Sequence, residues 1–120
     1  MAQPVVHVEV IGQDPRALRE YYGALFGWQF GEPMGPTDYS VAQDSDGIGR
    51  GVGGVPKGYP GHVTFYVQVE DVGSTLAEAE SLGGQRMMGP DEMAEVGITI
   101  GLLSDPEGHV IGVMSPLARA

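Results

Sequence analysis

Two stretches of the chain alternate apolar and polar residues with a period of two. In His62–Val69, Val63, Phe65, Val67 and Val69 fall on one side, and His62, Thr64, Tyr66 and Gln68 on the other. In Val5–Ile11, Val6, Val8 and Val10 make one face, and Val5, His7, Glu9 and Ile11 the opposite one. Successive side chains of a strand point to opposite faces, so both stretches predict strands. The apolar faces should pack on helices. The other faces carry an imidazole, a carboxylate, hydroxyls and an amide, which suits the wall of a polar pocket.

A helical period follows each strand. Asp14-Pro15 offers an N-cap with proline at the first helical position, and Leu18, Tyr21, Tyr22, Leu25 and Phe26 recur at spacings of three and four up to Gly27. In the second half Asp71 precedes Val72, Leu76, Ala79 and Leu82, and Gly84 supplies the stop. Asp14 to Gly27 and Asp71 to Gly84 are both 13 positions, and a shift of 57 superposes the two strands and helices. This is an internal repeat. Three short strands are expected after each helix. They are Gln29–Met34, Asp38–Gln43 and Ile48–Val55 in the first half, and Gln85–Met88, Gly97–Leu103 and His109–Met114 in the second, with Met93–Val96 an irregular connection. Asp44-Ser45-Asp46-Gly47 and Asp105-Pro106-Glu107-Gly108 read as turns. The expected fold is α+β, one domain over residues 1–120. It comprises two βαβββ modules, about 1–56 and 61–120, joined by a Pro- and Gly-rich linker.

Length and composition narrow the function. A chain of 120 residues with 42% hydrophobic and 18% charged content is expected to form one globular domain with a real core. Sixteen acids against six bases give a net charge of −10, which disfavours nucleic acid and anionic membranes as partners. No apolar run approaches the roughly 20 residues that span a bilayer. The opening MAQPVVHVEV shows no basic segment followed by an apolar run, so a secretory signal is not expected and a cytoplasmic location is. With no cysteine, thiol nucleophiles, disulfides and thiolate metal sites are excluded.

Val6-His7-Val8-Glu9-Val10, Asp14-Pro15, Tyr22-Gly23-Ala24-Leu25-Phe26-Gly27-Trp28, Val69-Glu70-Asp71-Val72, Leu82-Gly83-Gly84, Gly89-Pro90 and Asp105-Pro106-Glu107-Gly108 together give a sequence that resembles the vicinal oxygen chelate superfamily. That superfamily includes glyoxalase I, bleomycin-resistance proteins and extradiol dioxygenases. The resemblance implies two βαβββ modules forming an incomplete sheet barrel around a cleft, and, in metal-dependent members, ligands on the first and last strands of each module. Carried over residue by residue, it finds His7 on the first strand. Thr64 is the repeat mate of His7. Gly112 stands near the position of a glyoxalase I glutamate, and Ile48–Val55 offers Gly49, Gly51 and Gly53. One of four ligands is present, whereas a stable site generally takes at least three.

The expected function is therefore a glyoxalase-like protein that binds a small organic molecule in the cleft without a complete metal site. One alternative is a divalent-metal-dependent lyase, isomerase or dioxygenase with a displaced site at His7, Glu9 and His62. Another is a resistance-type protein that sequesters a drug without chemistry. His7 reads as a ligand or as a satisfied pocket histidine. Glu9 reads as a catalytic carboxylate, or as a buried group held by Tyr66 or an arginine. Tyr66 is its repeat mate and a catalytic candidate with it. His62 reads as a substitute ligand or as the exposed start of its strand. Trp28, Tyr39 and Thr64 complete the candidate cleft lining, with core packing the alternative for the aromatics. His109 is expected to face solvent, and Met87, Met88 and Met93 to form core or an adaptable wall. Gly49–Gly54 suggests a bulged strand with close packing. Open sheet edges and apolar faces lead us to expect a homodimer.

Overall fold

The computed structural model describes residues 2–43 and 47–116. It is a mixed α+β structure of seven strands and two helices, in the order β1 (Val5–Gly12), α1 (Pro15–Phe26), β2 (Ser40–Gln43), β3 (Gly49–Gly54), β4 (His62–Gln68), α2 (Val72–Ser81), β5 (Gln85–Met93), β6 (Ile98–Ser104) and β7 (Val110–Pro116). The described residues fall into two compact units, Val6–Thr64 and residues 2–5 with 65–116. Among the described residues no helix is long and apolar enough to cross a membrane.

In the first unit β3 pairs in parallel with β1 and antiparallel with β2, giving the local order β2-β3-β1. The β1–β3 register sets His7 beside Gly49, Glu9 beside Gly51 and Ile11 beside Gly53. The pairing of β3 runs without a register shift on either side, so the expected bulge is absent. Helix α1 starts where the sequence says: Asp14 Oδ1 accepts the Ala17 amide at 3.0 Å, Pro15 follows, and Gly27 closes the helix at φ 75°. It packs on β3, and Leu18 sits so close to Gly12 that a Cβ there would stand 2.8 Å from Leu18 Cδ1. No residue of α1 is fully buried, however, and Tyr21, Leu25 and Phe26 of its predicted apolar stripe are exposed. The buried layer consists instead of Val52, Ala42 and Ser40.

Gln29–Met34 does not form the expected strand. Met34 makes an isolated bridge with Tyr39, and Gly31 N donates to Val41 O. Pro33, which has no amide proton, and the turn-forming Gly35-Pro36 pair interrupt the ladder here. The turn expected at Asp44–Gly47 lies largely outside the described residues, since Asp44, Ser45 and Asp46 are not among them.

In the second unit the local order is β4-β7-β6-β5, with β4 and β7 parallel and the other pairs antiparallel. β5 extends past the predicted Met88 to Met93, with irregularities in its pairing on both sides of Met88. Helix α2 packs on β5, β6 and β7, and Val69, Val72, Leu76 and Val113 form the core with Val67 and Leu103 against it. Asp71 Oδ1 caps α2 through the Ser74 amide at 2.8 Å. The stop falls at Leu82 and Gly83 (φ 104°) rather than Gly84, where a Cβ would collide with Ser104 O. The Asp105 turn is as expected: Gly108 N and Asp105 N bond to Asp105 O and His109 O at 2.9 Å each, and His109 is exposed.

β4 departs from the prediction in which face is covered. Val63 is 73% exposed and Phe65 is exposed too, while Thr64 and Tyr66 are buried. Alternation establishes that two faces differ; it does not say which one is covered. Only the end of the apolar face, Val67 and Val69, reaches the core beneath α2. Met87 and Met93 are exposed rather than core.

Candidate functional site

Parity on β1 sends His7 and Glu9 to one face, and Glu9 is the buried residue of the strand, 6% exposed. A carboxylate so placed needs hydrogen-bond partners. Two are supplied within the first unit. Tyr39 Oη donates to Glu9 Oε1 at 2.9 Å, and His62 Nε2 donates to Glu9 Oε2 at 2.8 Å. Because the phenol gives its one proton to Glu9, it accepts from His7 Nε2, 2.8 Å away. The four side chains thus form a continuous chain, His7–Tyr39–Glu9–His62. The His7 and Tyr39 rings lie nearly parallel, 25° apart, with centroids separated by 6.3 Å. Burial holds the His7 pKa below its ordinary value, and the Glu9 charge partly opposes this.

The glycines of β3 make the arrangement possible. A Cβ at Gly49 would stand 2.5 Å from His7 Nδ1. One at Gly51 would overlap Tyr39 Oη and lie 2.7 Å from His7 Nε2, and one at Gly53 would lie 2.6 Å from Tyr39 Cδ2. The alternating glycines are a bed for two rings. The close packing read from the sequence is real, and its occupants are the His7 and Tyr39 rings. Gly112 plays a comparable part in the second unit, where the paired Tyr66 lays its ring on it, 2.5–2.7 Å from where a Cβ would be.

Tyr39, read from the sequence as cleft lining or core, is the hinge of the network. His62, read as a displaced ligand or an exposed strand start, meets the carboxylate with its side chain 26% exposed. Thr64 is buried one pleat further along β4, and Tyr66 belongs to the second unit. Trp28 joins an aromatic cluster instead, with Tyr22, Phe26 and Phe30 at centroid distances of 5.7, 5.3 and 6.4 Å and the Arg50 guanidinium 5.3 Å over its ring.

The divalent metal implied by the resemblance fits these residues poorly. Both Glu9 oxygens and His7 Nε2 are turned toward one another's partners, and the glycines of β3 and β7 offer no donor atoms. Among the described residues no group of three or more His, Cys, Asp or Glu is placed to hold a metal ion. What the geometry does offer is a carboxylate–imidazole pair. In a neutral His62 whose Nε2–H is committed to Glu9, the lone pair lies on Nδ1, the arrangement of an oriented general base.

Comparison with known proteins bears on the fold and the family. The chain is 27% identical over 113 residues to the protein CFP32 of Mycobacterium bovis, whose name assigns it provisionally to the glyoxylases. The match covers 88% of this chain and 43% of that protein, so the chain spans less than half the length of the curated relatives it matches. Among solved structures, a Streptomyces coelicolor methylmalonyl-CoA epimerase superposes with a TM-score of 0.68 at 16% identity, covering 98% of this chain and 100% of that one. A glyoxalase/bleomycin resistance protein/dioxygenase superfamily member from Vibrio splendidus gives 0.65 at 14% identity, covering 95% and 99%. These likenesses show the fold. The family model described as Glyoxalase-like domain matches residues 7–114, and the chain therefore belongs to the glyoxalase-like family of the vicinal oxygen chelate superfamily.

Proposed function

We propose that this protein binds a small carbonyl compound beside Glu9 and His62 and moves a proton on the carbon next to the carbonyl, using its own side chains. The observation that carries this reading is the buried Glu9 carboxylate, hydrogen-bonded at once to the Tyr39 phenol and the His62 imidazole. Glu9 fixes the tautomer and orientation of His62 and stabilises the imidazolium that forms when Nδ1 takes the proton. Tyr39 shares the carboxylate's charge and ties it to His7. The substrate carbanion, delocalised into its carbonyl as an enolate, takes a proton back from the imidazolium once that has exchanged with water, so atoms and charge balance and the α-proton is replaced by one from solvent.

The glyoxylase and epimerase names of the relatives accord with small-molecule chemistry of this kind. In the same reading the chain follows the paired βαβββ plan of its superfamily. It works as a homodimer, which would cover exposed apolar side chains such as Tyr21, Leu25 and Phe26. A chain without cysteine also suits the reducing cytoplasm.

The test is solvent exchange. Small 2-hydroxyketones and 2-oxoacids are incubated with the protein in D2O and the loss of the α-proton is followed by NMR. Protein-dependent exchange on a member of the panel supports the proposal. Binding without exchange, seen as ligand line broadening alone, would favour a sequestering protein.

A further inference from the structure

Tyr39 follows a tight loop rather than a long strand, so its aim depends on what holds that loop. Met34 and Tyr39 exchange backbone hydrogen bonds of 2.9 and 3.0 Å across it, and Gly54 N donates to Thr37 O at 2.7 Å, fastening the loop to β3. Asp38, the residue just before Tyr39, has φ 54°, the one non-glycine residue at positive φ among those described. Such a conformation costs energy and persists where the surroundings over-determine it. The surroundings here are Arg19 of α1. Its guanidinium donates from one terminal nitrogen to Asp38 O at 3.0 Å and from the other to Asp38 Oδ2 at 3.1 Å, and its side chain is only 16% exposed. A two-pronged grip by a planar, half-desolvated guanidinium defines direction as well as distance.

We infer that Arg19 is a positioning residue, whose hold on Asp38 aims the Tyr39 phenol between His7 and Glu9. It does not reach the network itself. It fixes the peptide from which Tyr39 projects, and α1, capped by Asp14 at its start and Gly27 at its end, provides the rigid anchor. The inference rests on the reading of the Glu9 network as the working site. A lysine at position 19 would keep the charge but give one contact in place of two.

The test follows the hydrogen-bonded imidazole by NMR at a single pH. In ¹⁵N-labelled protein, the His7 Nε2–H that donates to Tyr39 should give a resolved proton signal protected from water exchange. Tyr39→Phe should abolish it. Arg19→Met should abolish or broaden it likewise, leaving the backbone amide spectrum dispersed and thermal unfolding cooperative, and Arg19→Lys should recover it in part. Adding Arg19→Met to Tyr39→Phe should change the imidazole spectrum no further. If Arg19→Met lowers the unfolding midpoint but leaves the His7 signal as in the parent, Arg19 is merely structural and the inference is overturned. If Arg19→Met fails to fold, Arg19→Gln serves instead: it keeps a polar side chain but is too short and lacks the fork to grip Asp38 O and Oδ2 together, and an unchanged His7 signal there overturns the inference equally. If Tyr39→Phe itself leaves the signal intact, it is the reading of the network that fails, which separates the two outcomes.

Discussion

Gly51→Ala is the sharpest perturbation the fold offers. The new methyl would enter the space held by Tyr39 Oη and would lie 2.7 Å from His7 Nε2. Gly51 lies within β3, paired on both sides, and its backbone does not need glycine's freedom, so the methyl acts through contact alone. The Tyr39 ring must move. Moving it breaks the bond to the Glu9 carboxylate, for which about 1.5–3 kcal/mol is typical, and strains a close-packed layer at about 1–3 kcal/mol. Allowing for partial relaxation, a loss of roughly 2–4 kcal/mol is expected in urea unfolding, without a change in the slope of the transition. Gly31→Ala is the control. Its methyl would meet nothing nearer than Val41 O at 3.7 Å, ordinary contact, and should cost under about 1 kcal/mol. In a Tyr39→Ala background, where the obstructing ring is gone, the cost of Gly51→Ala should fall by more than half, a coupling that a double-mutant cycle reads directly. If Gly51→Ala is as mild as Gly31→Ala, or additive with Tyr39→Ala, the ring does not lie on β3 and the network as described is wrong.

Three further outcomes are expected. Ser40 is buried with its hydroxyl lacking a hydrogen-bond partner among the described residues, so Ser40→Ala should be neutral or stabilising by up to about 1 kcal/mol in the same urea assay; a clear loss of stability would mean the hydroxyl is satisfied. The Ser74 amide holds the Asp71 carboxyl below its usual value of 3.8, so its contribution to stability is present above that pH and fades as pH falls through the lower folded value. Asp71→Ala should accordingly lower the unfolding midpoint at neutral pH and make little difference in strong acid, and a deficit unchanged across that range would remove the cap as its cause. Light scattering at micromolar concentration should return the mass of a dimer; a monomer mass would set aside the proposed self-association.

Much of this architecture could be read from residue order, because its signals are local. Asp14-Pro15, Gly27 and Asp71 terminate helices through contacts within a few residues, and the valine alternation of β1 puts Glu9 on the face opposite Val8 whatever that face meets. The parts that were not legible depend on pairings distant in the chain. Glu9 and His62 are 53 residues apart, and Glu9 and Tyr39 are 30 apart. The repeat offset pointed to Tyr66 as the partner of Glu9, whereas the loop before β2 delivers Tyr39 and the start of β4 delivers His62. A signal for Tyr39 did exist in Gly49, Gly51 and Gly53. Three glycines on one face of a paired strand imply something large lying on it, although nothing local says which ring. The stripe on α1 is helical as its spacing says, but the 3.6-residue period orients side chains without stating what will cover Tyr21, Leu25 and Phe26, which are exposed.

The most direct test of the central claim is the α-proton exchange rate, on whichever 2-hydroxyketone or 2-oxoacid exchanges, in wild-type protein and in Glu9→Gln and His62→Gln. Both substitutions keep side-chain size and hydrogen-bonding capacity while removing the carboxylate or the imidazole base. The account predicts that each slows exchange by roughly 10²–10⁴-fold, the range typical of a lost general base, and that the double variant is no slower than the worse single. Exchange that proceeds at the wild-type rate in folded Glu9→Gln and His62→Gln protein would contradict it.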